Sequence, residues 1–493
     1  MLKKTLKIIA FLICAAVIFS VAVRILRFKS PDGIDQMHAF YENEENTVDA
    51  LFLGSSHMYT NVNTGILWSD YGIAAYDLGG ADQPFWNTYY FMKEALKTQR
   101  PKVIVVEIYS AAVQEGHFQG VWVIENLFGM RFTDDFILSV KESVREDWHG
   151  EYINRFARYH SRYSMITKDD FVYDDEMRYF KGFDPKFGTV VYDAPNVSHV
   201  TELSYPNEKM ADYMIQMIDL AKEEDIPIVL VCAPYIISEE DQKVFNVFYQ
   251  YAEENGVPYI DFNKMYEELG MDFSQDMKDW SHLNEKGNPK YTRYLGEYLK
   301  ANYEIPDRRG DEKYVSWDIN AALLEHEAAA YDMQETTDLA AYLELAAQED
   351  YIVMMAARNI SEDQMPVFSE DVLQRLAALG MEQDMLTQDG NIVLRDGVAE
   401  YSHTGMNFEW YTEDGNSDFR IARKYIEGLL DEFGERLHDV SMMTVDGQEY
   451  FQEECALNIV VYDRVLGRVV DAVGVKAEDG TPMTRLSEDD SDI

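Results

Sequence analysis

The residues that could do chemistry lie in two short stretches, far apart in the chain. The first, Val48 to His57, is an apolar run that stops at Gly54, Ser55, Ser56 and His57. A buried strand with this ending sets a hydroxyl just past the carboxyl edge of a sheet, where open α/β folds hold their ligands. The second stretch, Asp279-Trp280-Ser281-His282, stands in front of a predicted helix. Serine, histidine and aspartate are the minimum set for nucleophilic acyl transfer, because the hydroxyl needs a base and the base needs an orienting carboxylate. A spacing of three lets one tight turn bring Asp279 back to the His282 ring. Because adjacent side chains usually diverge, His57 is expected to pack or hydrogen-bond at the pocket wall, as an outlying substrate contact rather than the base. The plain alternative is that Ser56 and Asp279 cap helices and His282 lies on the surface.

Five strands must position these groups. Val48–Gly54, Ala74–Leu78, Val103–Val106, Ile226–Val231 and Val257–Phe262 are short and largely apolar, and Val103–Val106 is β-branched throughout. Such runs suit strands covered on both faces of a parallel sheet. Helical periodicity falls between them, at Asn63–Tyr71, Phe85–Leu96, Met210–Glu223 and Gln242–Glu254. This rhythm predicts a three-layer α/β/α, flavodoxin-like domain with a five-stranded parallel sheet over 48–300. The stretch 115–200 breaks the rhythm and leaves the sheet at the carboxyl edge of the third strand, so it is expected to cap the catalytic end. It is rich in aromatic and hydrogen-bonding residues that suit sugar rings. His160, Arg162 and Tyr163 therefore join His57, Tyr109 and Trp280 as candidate substrate contacts. An ordinary helical cap with its own small core is the alternative.

The first thirty residues bear on location. Lys3, Lys4 and Lys7 precede an apolar run from Ile8 to Val23, and Arg24, Arg27 and Lys29 follow it. With its flanks the run approaches the ~20 residues needed to cross a bilayer. No small-x-small cleavage site follows, so 1–29 is expected as a cytoplasmic stub and uncleaved anchor rather than a signal peptide. Residues 30–47 then form a connector, and the rest of the chain lies outside the cell membrane. The net charge of −46 over 493 residues disfavours nucleic acid as a partner of the bulk of the chain. Cys14, Cys232 and Cys455 are too scattered for a disulfide scaffold or a cysteine metal site, and the chemistry requires no metal or other cofactor.

Gly54-Ser55-Ser56-His57, Tyr76-Asp77-Leu78-Gly79, and Asp279-x-x-His282 followed by Leu283, Asn284 and Gly287 resemble the SGNH (GDSL-type) hydrolase superfamily. The nearer resemblance is to its membrane-anchored branch, which includes the D-alanyl transfer protein of lipoteichoic acid synthesis and the alginate O-acetylation proteins. The resemblance implies Ser56 as nucleophile, Asp279 and His282 as its partners, and the backbone N–H groups of Ser56 and Gly79 in an oxyanion hole. One block departs. Where that family has Gly-x-Asn-Asp after the third strand, this chain reads Glu107-Ile108-Tyr109-Ser110. Gln83 and Asn87 are the side-chain amides nearest in sequence to Gly79 that could replace the missing donor. The implied function is an extracytoplasmic serine esterase or O-acyltransferase acting on acyl esters, acetyl foremost, of a glycan or other acylated cell-envelope polymer. A membrane acyl-transporting partner would mark a transferase. The alternative is a glycan-binding or assembly protein on an SGNH scaffold with weak or lost catalysis.

After Lys300 the character changes. Residues 301–314 are polar, with Pro306 and Gly310, and are expected as a linker. Residues 315–477 read as a second, mixed α+β domain. Its Asp350–Val353 strand, Leu376-x-x-Leu379-Gly380 helix end and Asn458–Asp463 strand resemble the interleukin-like EMT inducer domain of FAM3-type proteins. That resemblance implies a recognition module. Residues 478–493 are acidic and are expected to be disordered.

Overall fold

The computed structural model describes residues 2–113, 116–173, 177–358, 360–361, 368–424, 440–476 and 483–485. The chain divides into two compact units, Met1–Leu324 and Glu325–Ile493.

The first unit begins with helix α1 (Leu2–Leu26), whose Lys3–Leu26 portion is long and apolar enough to cross a membrane. A short helix, α2 (Gln36–Phe40), follows and packs Met37 and Phe40 into the core. Five strands come next in the chain: β1 (Ala50–Gly54), β2 (Ala75–Gly79), β3 (Val103–Glu107), β4 (Ile228–Cys232) and β5 (Tyr259–Asp261). They form one parallel sheet in the order β2-β1-β3-β4-β5. Alternate side chains feed two cores, as the twofold period of a strand requires. Leu51 and Leu53 of β1 join Ile104 and Val106 of β3 on one face, while Ala50 and Phe52 join Val103 and Val105 on the other. Helices cover both faces, which makes three layers. α3 (Ser56–Tyr59) and α4 (Thr64–Tyr71) lie with the helix Gly287–Asn302 on one side. α5 (Phe85–Ala95), Glu208–Glu223 and Glu239–Asn255 lie on the other.

The insertion forms short helices, among them Asp134–Ser143, Arg155–Ser161 and Asp169–Val172. Its Leu127, Phe136, Val140 and Tyr152 belong to the same core as β1 and α5, so it extends that core instead of building a separate one.

The expected linker is part of the first unit. Arg308 makes a bidentate pair with buried Asp49 at 2.7 and 3.0 Å, Ile305 lies in one core, and Tyr314 and Trp317 lie in the other. A polar composition suggested a tether, but one arginine and three apolar side chains are enough to dock the stretch. The unit boundary falls inside the helix Val315–Glu335.

Among the described residues the second unit holds two antiparallel sheets. One has six strands: β6 (Tyr351–Ala357), β7 (Gly390–Arg395), β8 (Val398–Thr404), β13 (Leu457–Asp463), β14 (Arg468–Val475) and β15 (Thr484–Arg485). The other has four: β9 (Phe408–Asp414), β10 (Ser417–Lys424), β11 (Val440–Val445) and β12 (Gln448–Glu449). Met354 and Val460 of the first meet Phe419 and Ile421 of the second in one core, and helices cover the outer face of the six-stranded sheet. The expected disordered tail is partly ordered. Arg485 pairs with Asp471 at 3.0 Å as β15 adds to β14, and the rest of that tail lies outside the described residues, apart from Met483 in the core.

Candidate active site

β1 ends where Gly54 takes a positive φ of 152°, and a Cβ there would lie 2.9 Å from that of Glu107. The chain then turns directly into α3. Ser55 caps this helix by accepting from the His57 N–H, and its hydroxyl donates to Glu107 at 3.2 Å. Ser56 occupies the first turn, with its hydroxyl free to face the far loop.

That loop, 277–283, is closed by a bridge between Met277 and Leu283. Asp279 accepts the backbone N–H groups of Ser281 (2.7 Å) and His282 (2.9 Å) and holds Nδ1 of the His282 ring at 3.0 Å. Nε2 of the same ring lies 2.9 Å from Ser56 Oγ. Burial works to raise Asp279, but the His282 bond and the backbone N–H groups outweigh it and hold its carboxyl at about 2. It is therefore ionised at neutral pH. Asn61, at the end of α3, accepts from the Leu283 N–H at 3.0 Å, and Thr292 donates to the Asn61 carbonyl. These bonds pin the base-bearing loop to the serine-bearing helix. Asn284 ties the same loop to the insertion through the Gly188 carbonyl and the Thr189 hydroxyl, both at 3.1 Å.

His57 is fully buried and does not reach outward. Its Nε2 lies 2.6 Å from Ser281 Oγ, its ring stacks on Tyr109 with centroids 3.5 Å apart, and Tyr235 meets it edge-on. Burial, and then the nearby His282, pushes its pKa well below the usual range, so it is neutral. The Ser281 hydroxyl also hydrogen-bonds Tyr109, whose pKa burial raises to about 12. His57 and Tyr109 thus pack against and hold the loop that carries His282, and full burial leaves His57 no exposed edge for the substrate contact expected of it. Trp280 stands at the rim, 53% exposed, with its carbonyl bonded to the Ile236 N–H.

The other candidates lie elsewhere. Gly79 sits beside Gly54 at the same sheet edge, so close that a Cβ on it would lie 2.3 Å from the Gly54 carbonyl oxygen. Both N–H groups of Asn87 are spent on Ser139 and Ser143, at 3.0 and 2.9 Å, joining α5 to the insertion. Gln83 donates to Asn126 at 2.8 Å and accepts from Thr88. These two amides seat the insertion, which removes the reason for choosing them as oxyanion donors. Arg162 is bonded to the carbonyls of Leu26 and Arg27 at the end of α1 and to Asp170, and His160 and Tyr163 lie in the same neighbourhood. Arg162 thus serves the α1 junction.

Sequence reasoning missed Glu107, Ser281, Asn61 and Tyr235. Glu107 is fully buried, accepting from Ser55 and from the Tyr109 N–H at 2.8 Å. Burial dominates these bonds and pushes its pKa up to about 8. An acid at the end of an apolar strand was the one visible signal. Among the described residues no cluster of three or more His, Cys, Asp or Glu side chains could hold a metal ion.

A three-layer α/β/α domain with this strand order, and a serine at the end of its first strand, is compatible with an SGNH-type hydrolase or acyltransferase scaffold. No family model matches the sequence, and no curated protein matches it. Among solved structures, the chain is similar to a candidate acylhydrolase from Bacteroides fragilis at 11% identity, with a TM-score of 0.27, over 52% of this chain and 89% of that one.

Proposed function

We propose that this protein is a membrane-anchored serine esterase or O-acyltransferase whose first unit works outside the cell membrane on acyl esters of an envelope or secreted glycan. The observation that carries the reading is the hydrogen-bonded chain from Ser56 through His282 to Asp279, at the carboxyl edge of the parallel sheet. His282 accepts the Ser56 proton as the oxygen attacks the acyl carbonyl, and it returns the proton to the departing alcohol. Asp279 fixes the ring and offsets its positive charge. Water attacking the acyl-serine gives hydrolysis; a sugar hydroxyl gives transfer. The backbone N–H groups of Ser56 and Gly79 are the oxyanion donors in this reading, Trp280 the outer substrate contact, and the second unit a recognition module of the FAM3-like kind.

A weakly catalytic binding scaffold is the second reading. It draws on Glu107-Ile108-Tyr109-Ser110, which stands where the Gly-x-Asn-Asp block is expected and puts Tyr109 at the asparagine position, and on the engagement of Gln83 and Asn87 elsewhere. One experiment separates them. The full chain in detergent is exposed to a serine-directed phosphonate and peptide-mapped, and turnover of a small acetyl ester is measured. Label on Ser56 that disappears in His282→Ala, with turnover down by a factor of 10³ or more in Ser56→Ala, is the expected result. Label on Ser55, or turnover indifferent to Ser56, refutes the catalytic reading.

A further inference from the structure

We propose that the insertion segment 155–172 is seated in the outer leaflet of the membrane beside α1, with lipid phosphates against its basic side chains and acyl chains against its apolar ones. This rests on the reading of α1 as a membrane span. The first observation is depth. The Phe156 ring lies 5.3 Å from that of Phe19, which stands seven residues before the end of α1. At 1.5 Å per residue that is about 10 Å below the helix end. A side chain packed there is at the level of lipid, not of water.

The second observation is that this junction is built in. Arg162 binds the Leu26 and Arg27 carbonyls, Lys29 pairs with buried Asp170, and Phe28 packs against Phe128 and Tyr159. The helices Arg155–Ser161 and Asp169–Val172 both pack on α1. A helix removed as a signal sequence would leave these partners without their groups.

Composition and exposure supply the third. From Arg155 to Val172 the chain carries Arg155, Arg158, Arg162 and Lys168 against Asp169 and Asp170, a net positive stretch in a protein of net charge −46. In the same segment, Tyr163, Met165, Phe171 and Val172 are 67, 66, 61 and 77% exposed. Four large apolar side chains facing water beside a membrane helix are costly there; lipid covers them. Mixed basic and aromatic residues at one level are what an interface favours.

The test uses the full chain in nanodiscs. An environment-sensitive fluorophore is placed at Tyr163→Cys or Phe171→Cys in a Cys14→Ser background, since Cys232 and Cys455 are buried. Tyr249→Cys, on the far helix Glu239–Asn255, is the aqueous control, and native Cys14 labelled in detergent reports α1 itself. Doxyl lipid should quench positions 163 and 171 at least threefold more than position 249, while aqueous iodide does the reverse. Quenching at Cys14 but not at 163 and 171 keeps the anchor and overturns the leaflet seat. No quenching at Cys14 overturns both. Equal quenching at 163, 171 and 249 overturns the seat as well, because the contact is then unspecific.

Discussion

Replacing Glu107 with glutamine should make the first unit more resistant to alkaline pH. In the folded chain this acid is fully buried, and burial pushes its pKa up to about 8 from the ordinary 4.5. Between those values the unfolded chain has released a proton that the folded chain still holds, so stability falls as pH rises. The contribution is fully present below 4.5 and is lost as pH climbs through 8. At about 1.36 kcal/mol per pH unit the upper bound is on the order of 5 kcal/mol, and relaxation around the charged form reduces it to roughly 2–3. Glutamine keeps both contacts, its oxygen accepting from the Tyr109 N–H and its amide donating to Ser55, but it has no proton to lose. Thermal unfolding of the full chain in detergent, followed by tryptophan fluorescence at pH 5 and pH 8.5, reads the first unit. All tryptophans but Trp410 lie there. With about 2 °C per kcal/mol for a unit of this size, the wild type should lose about 5 °C more than the variant between the two pH values. Parallel losses would refute the buried, protonated acid.

Ser281→Ala leaves the buried His57 ring without a partner at either nitrogen, so it should cost about 1–3 kcal/mol and lower ester turnover roughly tenfold, measured by thermal shift and steady-state kinetics. Gly79→Ala drives a methyl against the Gly54 carbonyl and should cut phosphonate labelling of Ser56 by at least tenfold, scored by mass spectrometry. Arg308→Ala strands buried Asp49 and should cost about 3 kcal/mol, read in the same tryptophan transition. A chain ended at residue 300 also loses Tyr314 and Trp317 from the core and should be recovered only as aggregate, checked by gel filtration.

The sheet was legible because β1 to β4 are buried on both faces, and a short, largely apolar run needs no long-range information to be read. Ser56, Asp279 and His282 were legible for a related reason: each sits at a break in pattern, where a strand stops or a polar cluster precedes a helix. Gln83 and Asn87 were misjudged because sequence proximity to Gly79 says nothing about which element claims an amide, and Ser139 and Ser143 lie some fifty residues on. The linker was misjudged because a single Arg308–Asp49 pair spans 259 residues and has no local signature. Aromatic enrichment in the insertion was seen, but its use was not, since packing against α1 and stacking on sugars call for the same side chains.

The turn from Asp279 to His282 is self-contained: one carboxylate holds two backbone N–H groups and the ring within four consecutive residues. The serine joins across 226 positions, and only when β1, α3 and the loop at 277–283 are in place. The serine comes first in the chain, and it has no base until the turn 226 positions later is folded against it. The Ser56–His282 contact therefore exists only in the folded first unit.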